Sequence, residues 1–299
     1  MDNFKGFIFG LHNIEPTSQK NTCSQLFDAL TITPEFLEKL IISVQNKGFT
    51  FVSMEKFLQD KNDNQEHKNV VITIDDGWKG VYTYAFSIFK KYNIPFVFYV
   101  ATDLINNGFK NCKLAEMDGT NILCDNICKI EKDYIKQQEL FKKLWQKFKY
   151  KRRLLFWRSN YTIMQSFFKD KIDFEQYQKE SCCNVAELQE MVNSGLCELG
   201  SHTHNHIHMD RISKKNVIYQ ITESNKYIES YCNKKCIYFS YPYGHYNDFT
   251  HEQTKKYYSS AVIVSPRNNK YHITQDDDIF TMPRKFIDTN TNLDTLLDR

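Results

Sequence analysis

The sequence has no long apolar run and little excess charge, and each absence narrows the possible functions. No segment reaches the ~18 apolar residues that a membrane-spanning helix requires, so no transmembrane segment is predicted. The apolar run near the N-terminus is too short for a secretory signal and follows the acidic Asp2, so we expect a cytoplasmic protein. The net charge of +3 is too small to indicate a nucleic-acid partner, and none is expected.

Paired cysteines are also lacking. The nine cysteines are an odd number and do not form the regular framework of a secreted disulfide protein. Cys124 and Cys128 are four residues apart, as are Cys232 and Cys236, but no paired C-x-x-C motifs occur. Structural zinc at these residues is the weaker alternative. Reduced thiols, as in a cytoplasmic protein, are the simpler interpretation.

The residues that are present indicate a large α/β domain. Hydrophobic residues make up 41% of the chain and aromatic residues 15%, which supplies a sizeable core and disfavours disorder. Apolar segments typical of strands alternate with helical patterns, such as the helix that Thr33 caps and Pro34 begins. The strand-like segments lie at residues 7–11, 49–52, 70–74, 95–100, 197–200, 237–241, 261–264 and 279–282. This alternation indicates parallel strands closed into a barrel, in a single domain over residues 1–299.

One segment, at about residues 105–180, breaks the alternation and is predicted to be a helical insertion in a strand-to-helix loop. Its lysines and aromatic residues are densest at residues 140–153. In a barrel such an insertion lies at the active-site end, where it forms a lid or a substrate wall. Basic and aromatic side chains there suit an anionic sugar or a nucleotide. The favoured alternative is a solvated helix face with an apolar underside.

The first candidate motif follows a buried strand. Residues 70–74 are β-branched or apolar, and Asp75, Asp76 and Gly77 come directly after them. Two adjacent carboxylates resist joint ionisation when buried, and a metal ion removes that cost. The pair therefore suggests one aspartate as a metal ligand and its neighbour as a base, although Asp-Asp-Gly is also an ordinary turn sequence.

A histidine-rich tract provides the second motif. Four of the nine histidines lie at positions 202, 204, 206 and 208, after a strand-like segment. On a helical turn the i, i+4 spacing would stack His202 on His206, or His204 on His208, closely enough to share a metal. Two histidines and one aspartate suit Zn²⁺ or a similar ion, with a coordination position left open for water. Such an ion would lower the pKa of the water and polarise a carbonyl. The alternative is a solvated polar loop.

Three ordered motifs resemble those of the polysaccharide deacetylases of carbohydrate esterase family four, which have the NodB-homology fold. Residues 73–77 (TIDDG) are similar to the first motif, residues 201–206 (SHTHNH) to the second and residues 239–244 (FSYPYG) to the third. The similarity covers about residues 5–105 and 183–288. It implies a distorted (β/α) barrel of about seven parallel strands. It also implies that His202 and His206, and not His204 and His208, are the metal ligands.

The resemblance also implies roles for individual residues. Asp76, His202 and His206 would hold the metal, which we expect to be Zn²⁺, and Asp75 would be the general base. Substrate contacts are predicted for Trp78, which follows the first motif, and for three residues of the third motif, Tyr241, Pro242 and Tyr243. A backbone N–H of residues 241–243 is the predicted oxyanion donor.

Two departures from the family pattern require substitutes. Many members carry in the third motif an arginine that orients the catalytic aspartate, but this chain has Ser240. We expect Arg284, after a later strand, to supply the guanidinium. The usual C-terminal L-x-H motif, whose histidine is the general acid, is absent from the sequence. Some members with a permuted arrangement place this histidine after the first strand, and His12 has that position. We therefore predict that His12 is the general acid.

The resulting hypothesis is a metal-dependent hydrolase that removes an N-acetyl group from an amino sugar. A cytoplasmic enzyme would act on a nucleotide-linked or lipid-linked sugar during surface-polysaccharide biosynthesis. Hydrolysis of another amide or imide on the same fold is one alternative. A catalytically inactive carbohydrate-binding homologue, suggested by the two departures, is another. The oligomeric state is left open.

Overall fold

The two longest strands of the sheet are adjacent and buried along their whole length: β1 (Phe4–Leu11) and β5 (Asn69–Asp76). They pair in parallel from Gly6 opposite Asn69 to Leu11 opposite Ile74. The structure is a computed structural model that describes residues 3–16, 30–108, 127, 130–154, 163, 166–168, 179–264 and 270–298.

Strands and helices alternate through most of the described chain as the sequence predicts, and short strands that it did not predict lie near both ends. The remaining strands are β2 (Asn13–Ile14), β3 (Thr31–Ile32), β4 (Thr50–Phe51), β6 (Phe96–Val100), β7 (Cys197–Ser201), β8 (Tyr238–Ser240), β9 (Ser260–Ile263), β10 (His272–Thr274), β11 (Met282–Pro283) and β12 (Lys285–Phe286). The helices are α1 (Pro34–Asn46), α2 (Met54–Lys61), α3 (Phe86–Tyr92), α4 (Thr102–Asn107), α5 (Tyr134–Leu154), α6 (Val185–Asn193), α7 (Lys214–Cys232) and α8 (Asp248–Tyr257). A π-helical turn (Val81–Ala85) precedes α3.

The sheet curves into a barrel whose last strand joins its two edges. The order β1–β5–β6–β7–β8–β9–β11 is parallel throughout. β11 pairs with β9, and β12, one residue later, pairs with β1. If β11 and β12 count as one kinked strand, the described residues contain seven parallel strands around the barrel. The predicted fold, a distorted barrel of about seven parallel strands, is thus confirmed. Arg284 is the residue between the two halves of that strand.

Apolar residues on the two faces of the sheet form separate clusters. Phe7 and Phe9 face the surrounding helices, whereas Ile8 belongs to a second cluster with Val71 and Val97. This is the period-2 alternation of a strand that is covered on both sides. Helix α2 supplies buried Met54 and Phe57 to the second cluster. Burial on both faces explains why the strands appear in the sequence as continuous apolar runs.

The described part of the predicted insertion contains a long helix, α5, which packs beside the loop that follows β5. Phe141 and Phe148 of α5 share a hydrophobic cluster with Trp78 and Leu104. The opposite face carries five exposed lysines, at positions 136, 142, 143, 147 and 149. This arrangement fits the favoured interpretation, a solvated face with an apolar underside. Residues 109–126, 155–162 and 169–178 of the insertion lie outside the described residues.

Two further sequence predictions concern thiols and membranes. Five cysteines in the described ranges, including Cys232 and Cys236, are free thiols. Cys124 and Cys128 lie outside those ranges. Among the described helices, none combines the length and the apolar character needed to cross a bilayer.

Candidate active site

The candidate site lies at the carboxyl ends of neighbouring strands. Asp75 and Asp76 are the last residues of β5, His202 and His206 follow β7, and Arg284 lies between β11 and β12. Parallel pairing brings the carboxyl ends of the strands to one end of the barrel. Ser201, the last residue of β7, pairs with Phe239 of β8.

Three buried side chains converge there on one point. Nε2 of His206 lies 3.1 Å from Oδ1 of Asp76, and Nε2 of His202 lies 3.6 Å from the same oxygen. The two imidazole rings meet edge to face with their centroids 4.8 Å apart. One ligand-type atom from each of the three residues lies within 4.8 Å of the other two.

Neighbouring groups orient these three side chains. Nδ1–H of His202 donates to the carbonyl oxygen of Ser240 at 2.8 Å, which leaves a lone pair on Nε2 of the neutral ring. A hydrogen bond of 3.0 Å joins Nδ1 of His206 to the hydroxyl of Tyr243. The indole N–H of Trp78 donates to Oδ2 of Asp76 at 2.9 Å. Such outer partners set the orientation and tautomer of metal ligands.

The electrostatics of this cluster fit a cation. Burial lowers the pKa of His202 to about 4, against the opposing effect of Asp75, so its ring is neutral at pH 7. Burial acts to raise the pKa of Asp76, but His206 and the other imidazoles outweigh it, and the net pKa lies well below the usual range. Oδ1 of Asp76 is buried without a hydrogen-bond donor among the described residues. An ionised carboxylate oxygen that faces the Nε2 lone pair of His202 favours a positive ion between them, so these residues fit a divalent metal.

Asp75 has a different environment, because both of its oxygens are bonded to Arg284. The guanidinium is fully buried and donates to Oδ1 and to Oδ2 of Asp75, each at 2.7 Å. It also donates to Oγ of Ser240 at 2.9 Å. Burial acts to raise the pKa of Asp75, but the charge of Arg284 outweighs it and the net pKa is lowered. Asp75 is therefore ionised at neutral pH, and the group that binds it is Arg284, the residue predicted to substitute for the missing arginine.

His12 and Arg284 both lie against the ring of Phe286. The ring of His12 packs on Phe286 at a centroid distance of 5.1 Å, and the guanidinium carbon of Arg284 lies 4.8 Å from the Phe286 ring centroid. His12 is among the groups that lower the pKa of both Asp75 and Asp76. Its Nδ1 atom is buried and has no hydrogen-bond partner among the described residues.

The histidine tract does not form the helical turn that its spacing suggested. Residues 202–208 are a loop with positive φ at Thr203 (65°) and His206 (51°), and this loop, not a helix face, brings His202 and His206 together. The other two histidines point elsewhere. Nδ1 of His204 bonds to Oγ1 of Thr102 at 2.9 Å, and the ring of His208 stacks on Tyr243 at 4.0 Å.

The predicted substrate contacts of the third motif need correction. The side chain of Tyr241 is fully buried among Phe239 and Tyr246, and Pro242 is buried as well. The backbone N–H of Tyr241 already donates to Val262 in the sheet, and proline has no N–H. Tyr243 is the residue of this segment that reaches the histidines.

Trp78 also has a different position from the one predicted. It is only 8% exposed, it donates to Asp76, and its ring packs against the insertion. Trp78 thus supports Asp76 through a hydrogen bond and packs against the insertion. It does not present an open surface for a sugar.

Backbone strain is concentrated at the site. Among the described residues other than glycine, six have positive φ: Asp76, Asn93, Thr203, His206, Asn233 and Tyr243. The two asparagines end helices, where this conformation is common. The other four are all at the site, and each costs about 1–3 kcal/mol that the surrounding fold must supply.

Two supporting residues were not assigned a role from the sequence. Thr73 accepts a hydrogen bond of 3.2 Å from Arg284, and its own hydroxyl donates to Phe9. Its position two residues before Asp75 places both side chains on one face of β5, which the alternation of a strand would have indicated. The other is Ser240, whose hydroxyl and carbonyl bond to Arg284 and His202.

The family model described as "Polysaccharide deacetylase" matches residues 62–146 and 159–262, which is more than half of the chain. No curated protein sequence matches the chain.

Solved structures share the fold at low sequence identity. The Streptococcus pyogenes deacetylase PplD, solved in complex with acetate, is 17% identical with a TM-score of 0.66, and the match covers 97% of this chain and 95% of that chain. A de-N-acetylase from Aggregatibacter actinomycetemcomitans is 18% identical with a TM-score of 0.65, over 97% and 98%. A polysaccharide deacetylase from Bacillus cereus is 18% identical with a TM-score of 0.62, over 97% of this chain and 66% of that longer chain.

Proposed function

The chain belongs to the polysaccharide deacetylase family, and from this premise we propose that it is a metal-dependent hydrolase that removes an N-acetyl group from an amino sugar. One observation carries the proposal. An unpartnered oxygen of Asp76 faces the Nε2 atoms of His202 and His206 at 3.6 Å or less, beside a second carboxylate that is held by a guanidinium.

Asp76, His202 and His206 are the residues that would hold the metal, and Zn²⁺ suits two imidazoles and one carboxylate best. A bound zinc ion would polarise the acetyl carbonyl and lower the pKa of a water molecule. The protein's own contribution is to keep His202 neutral and Asp76 ionised, as the lowered pKa of each indicates.

Asp75 is the proposed general base. Its carboxylate lies beside the proposed metal ligands, with Oδ2 3.8 Å from Nε2 of His202. Arg284 keeps it ionised and fixes its orientation through two hydrogen bonds. Each carboxylate oxygen retains a second lone pair that can accept a proton from the attacking water.

His12 is the proposed general acid. Hydrolysis forms a bond between the water oxygen and the acetyl carbon and breaks the bond from that carbon to nitrogen. The nitrogen must take up a proton to leave as an amine. In this assignment Asp75 accepts the proton of the water, His12 donates a proton to the nitrogen, and the products are acetate and the free amine.

The proposed substrate is an N-acetylated amino sugar linked to a nucleotide or a lipid, as an intermediate of surface-polysaccharide biosynthesis in the cytoplasm. The exposed lysines of α5 give this helix a positive charge that suits a substrate carrying phosphate, although they lie on the face opposite the contact with Trp78. Its exposed face carries one acidic residue, Glu139, among the five lysines.

The alternative of an inactive homologue loses one of its grounds. It was suggested partly by Ser240 in the place of an arginine, but Arg284 binds Asp75 and the hydroxyl of Ser240 itself. Hydrolysis of another amide or imide would use the same residues. The two activities are distinguished by which substrates the protein hydrolyses.

The test is acetate release by zinc-loaded protein from N-acetylhexosamine saccharides, free and linked to nucleotide or lipid phosphate. We expect acetate from the linked sugars and at least a 100-fold lower rate for Asp75→Asn. The matched control is Asp60→Asn, which alters a buried aspartate that is paired with Lys56 and Asn69 and lies outside the site. Acetate release that persists in Asp75→Asn, or hydrolysis of cyclic imides only, would overturn the assignment.

A further inference from the structure

A second cluster of ligand-type side chains lies next to the site described above. His208 and Asp210 are in the segment after β7, and His245 follows the turn Pro242–Gly244 after β8. One nitrogen or oxygen atom from each of the three lies within 4.8 Å of the other two. The rings of His208 and His245 are 5.1 Å apart between centroids.

Two atoms of this cluster are buried without partners. Nδ1 of His208 and Oδ1 of Asp210 have almost no solvent contact, and neither has a hydrogen-bond partner among the described residues. A buried polar atom that lacks a partner costs about 1–3 kcal/mol. Two such atoms in one group of three ligand-type residues form an arrangement that a single cation would satisfy.

The contacts that do reach this cluster leave these two atoms unbonded. Nε of Arg211 lies 3.8 Å from Oδ2 of Asp210, the other carboxylate oxygen, and the arginine side chain is 63% exposed. The nearest approach of His245 to Asp210 is 4.0 Å, also at Oδ2, which is too long for a hydrogen bond.

A third group of similar composition at another part of the barrel provides a contrast. Asp60, Asp63 and His67 also lie within 4.8 Å of one another. However, Lys56 donates to Asp60 at 2.6 Å and Lys5 donates to Asp63 at 3.0 Å. Lysine charge already neutralises these carboxylates, so this group is an ion-pair network and not a candidate metal site.

We propose that His208, Asp210 and His245 form a second divalent-metal site, with zinc as the ion that two imidazoles and one carboxylate favour. This goes beyond the proposed deacetylase activity, which needs only the first site. The second ion cross-links the loop after β7 to the loop after β8. The ring of Tyr243 lies between the two sites, 4.9 Å from the ring of His206 and 4.0 Å from that of His208.

Zinc stoichiometry tests the proposal without reference to activity. The 299-residue chain is stripped with a chelator, dialysed against Zn²⁺ at pH 7.5 and analysed by plasma mass spectrometry. We expect two zinc ions per chain in the wild type and one in His245→Gln and in Asp210→Asn. His206→Gln, which alters the first site, should also retain one. The double variant His206→Gln/His245→Gln should retain none.

Controls separate a lost site from a lost fold. The side chain of His245 is 49% exposed, so its replacement is expected to leave the circular dichroism spectrum unchanged. His251→Gln removes a histidine that bonds to one carboxylate, Asp278, at 2.9 Å, and should keep two ions. One zinc ion in the wild type that His206→Gln abolishes, or two that persist in both His245→Gln and Asp210→Asn, would refute the second site. Two ions in a protein that releases no acetate would leave this site standing while the deacetylase proposal fails.

Discussion

Replacing Arg284 by methionine tests whether one guanidinium holds the Asp75 carboxylate inside the barrel. Methionine keeps much of the side-chain length and removes the charge and the donors. The substitution leaves a fully buried carboxylate without the two hydrogen bonds of 2.7 Å that it now accepts. We expect the free energy of unfolding to fall by about 3–5 kcal/mol, the usual cost of removing one partner of a buried ion pair.

The pH dependence of this loss has a definite sign. In the wild type the pKa of Asp75 is below its usual value, so the pair stabilises the fold above the unfolded pKa, and this contribution is lost as the pH falls through the folded pKa. In the variant, burial is no longer offset by Arg284, so the pKa of Asp75 rises. The carboxyl then takes up a proton at mild acidity, and the difference between variant and wild type shrinks as the pH falls.

Urea unfolding of chelator-treated protein at pH 7 and at pH 5 measures both effects. The double variant Arg284→Met/Asp75→Asn is the control, because it removes both charges. It should be more stable than Arg284→Met alone, since no unpaired buried charge remains. A loss below about 1 kcal/mol for Arg284→Met at pH 7, or no recovery in the double variant, would show that the ion pair does not carry this role.

Three further outcomes follow from the site. Metal-free protein should lose stability as the pH falls from 6.5 through about 4. Over this range His202 stays neutral in the folded protein, whereas the same histidine in the unfolded chain takes up a proton. A melting temperature that does not change over this range would contradict this prediction. Trp78→Phe, which removes the indole donor to Asp76, should weaken zinc binding about 10–100-fold in a competition titration, and unchanged affinity would exclude a supporting role. His12→Gln should lower kcat about 10²–10⁴-fold with zinc content unchanged, and a loss below about tenfold would disprove the general-acid assignment.

Secondary-structure elements that depend on residues close in the sequence were predictable from the sequence. The prediction that Thr33 caps a helix beginning at Pro34 is confirmed, since the Thr33 hydroxyl accepts from the N–H of Phe36 at 3.1 Å. The prediction of a strand at residues 70–74 is also confirmed, and the observed strand extends through Asp76. Capping and strand alternation act over a few residues, so their signals survive without knowledge of the fold.

The histidine tract shows where local spacing fails. An i, i+4 pattern is compatible with a helix, but Thr203 and His206 adopt positive φ, and contacts from other segments fix the rings. Ser240 holds His202, and Thr102 holds His204 away from the cluster. These partners are remote in sequence, so spacing alone left both histidine pairs open.

By itself the sequence determined the alternating strands and helices, the barrel class, and the aspartate and histidine motifs at strand ends, because each depends on side-chain period and local turn chemistry. Only the tertiary structure decided that Tyr241 belongs to the core and that Arg284 meets Asp75. That contact joins residues 209 positions apart and exists because β11 and β12 close the barrel around it. Closure also excludes water, and the strength of a buried ion pair depends on that exclusion.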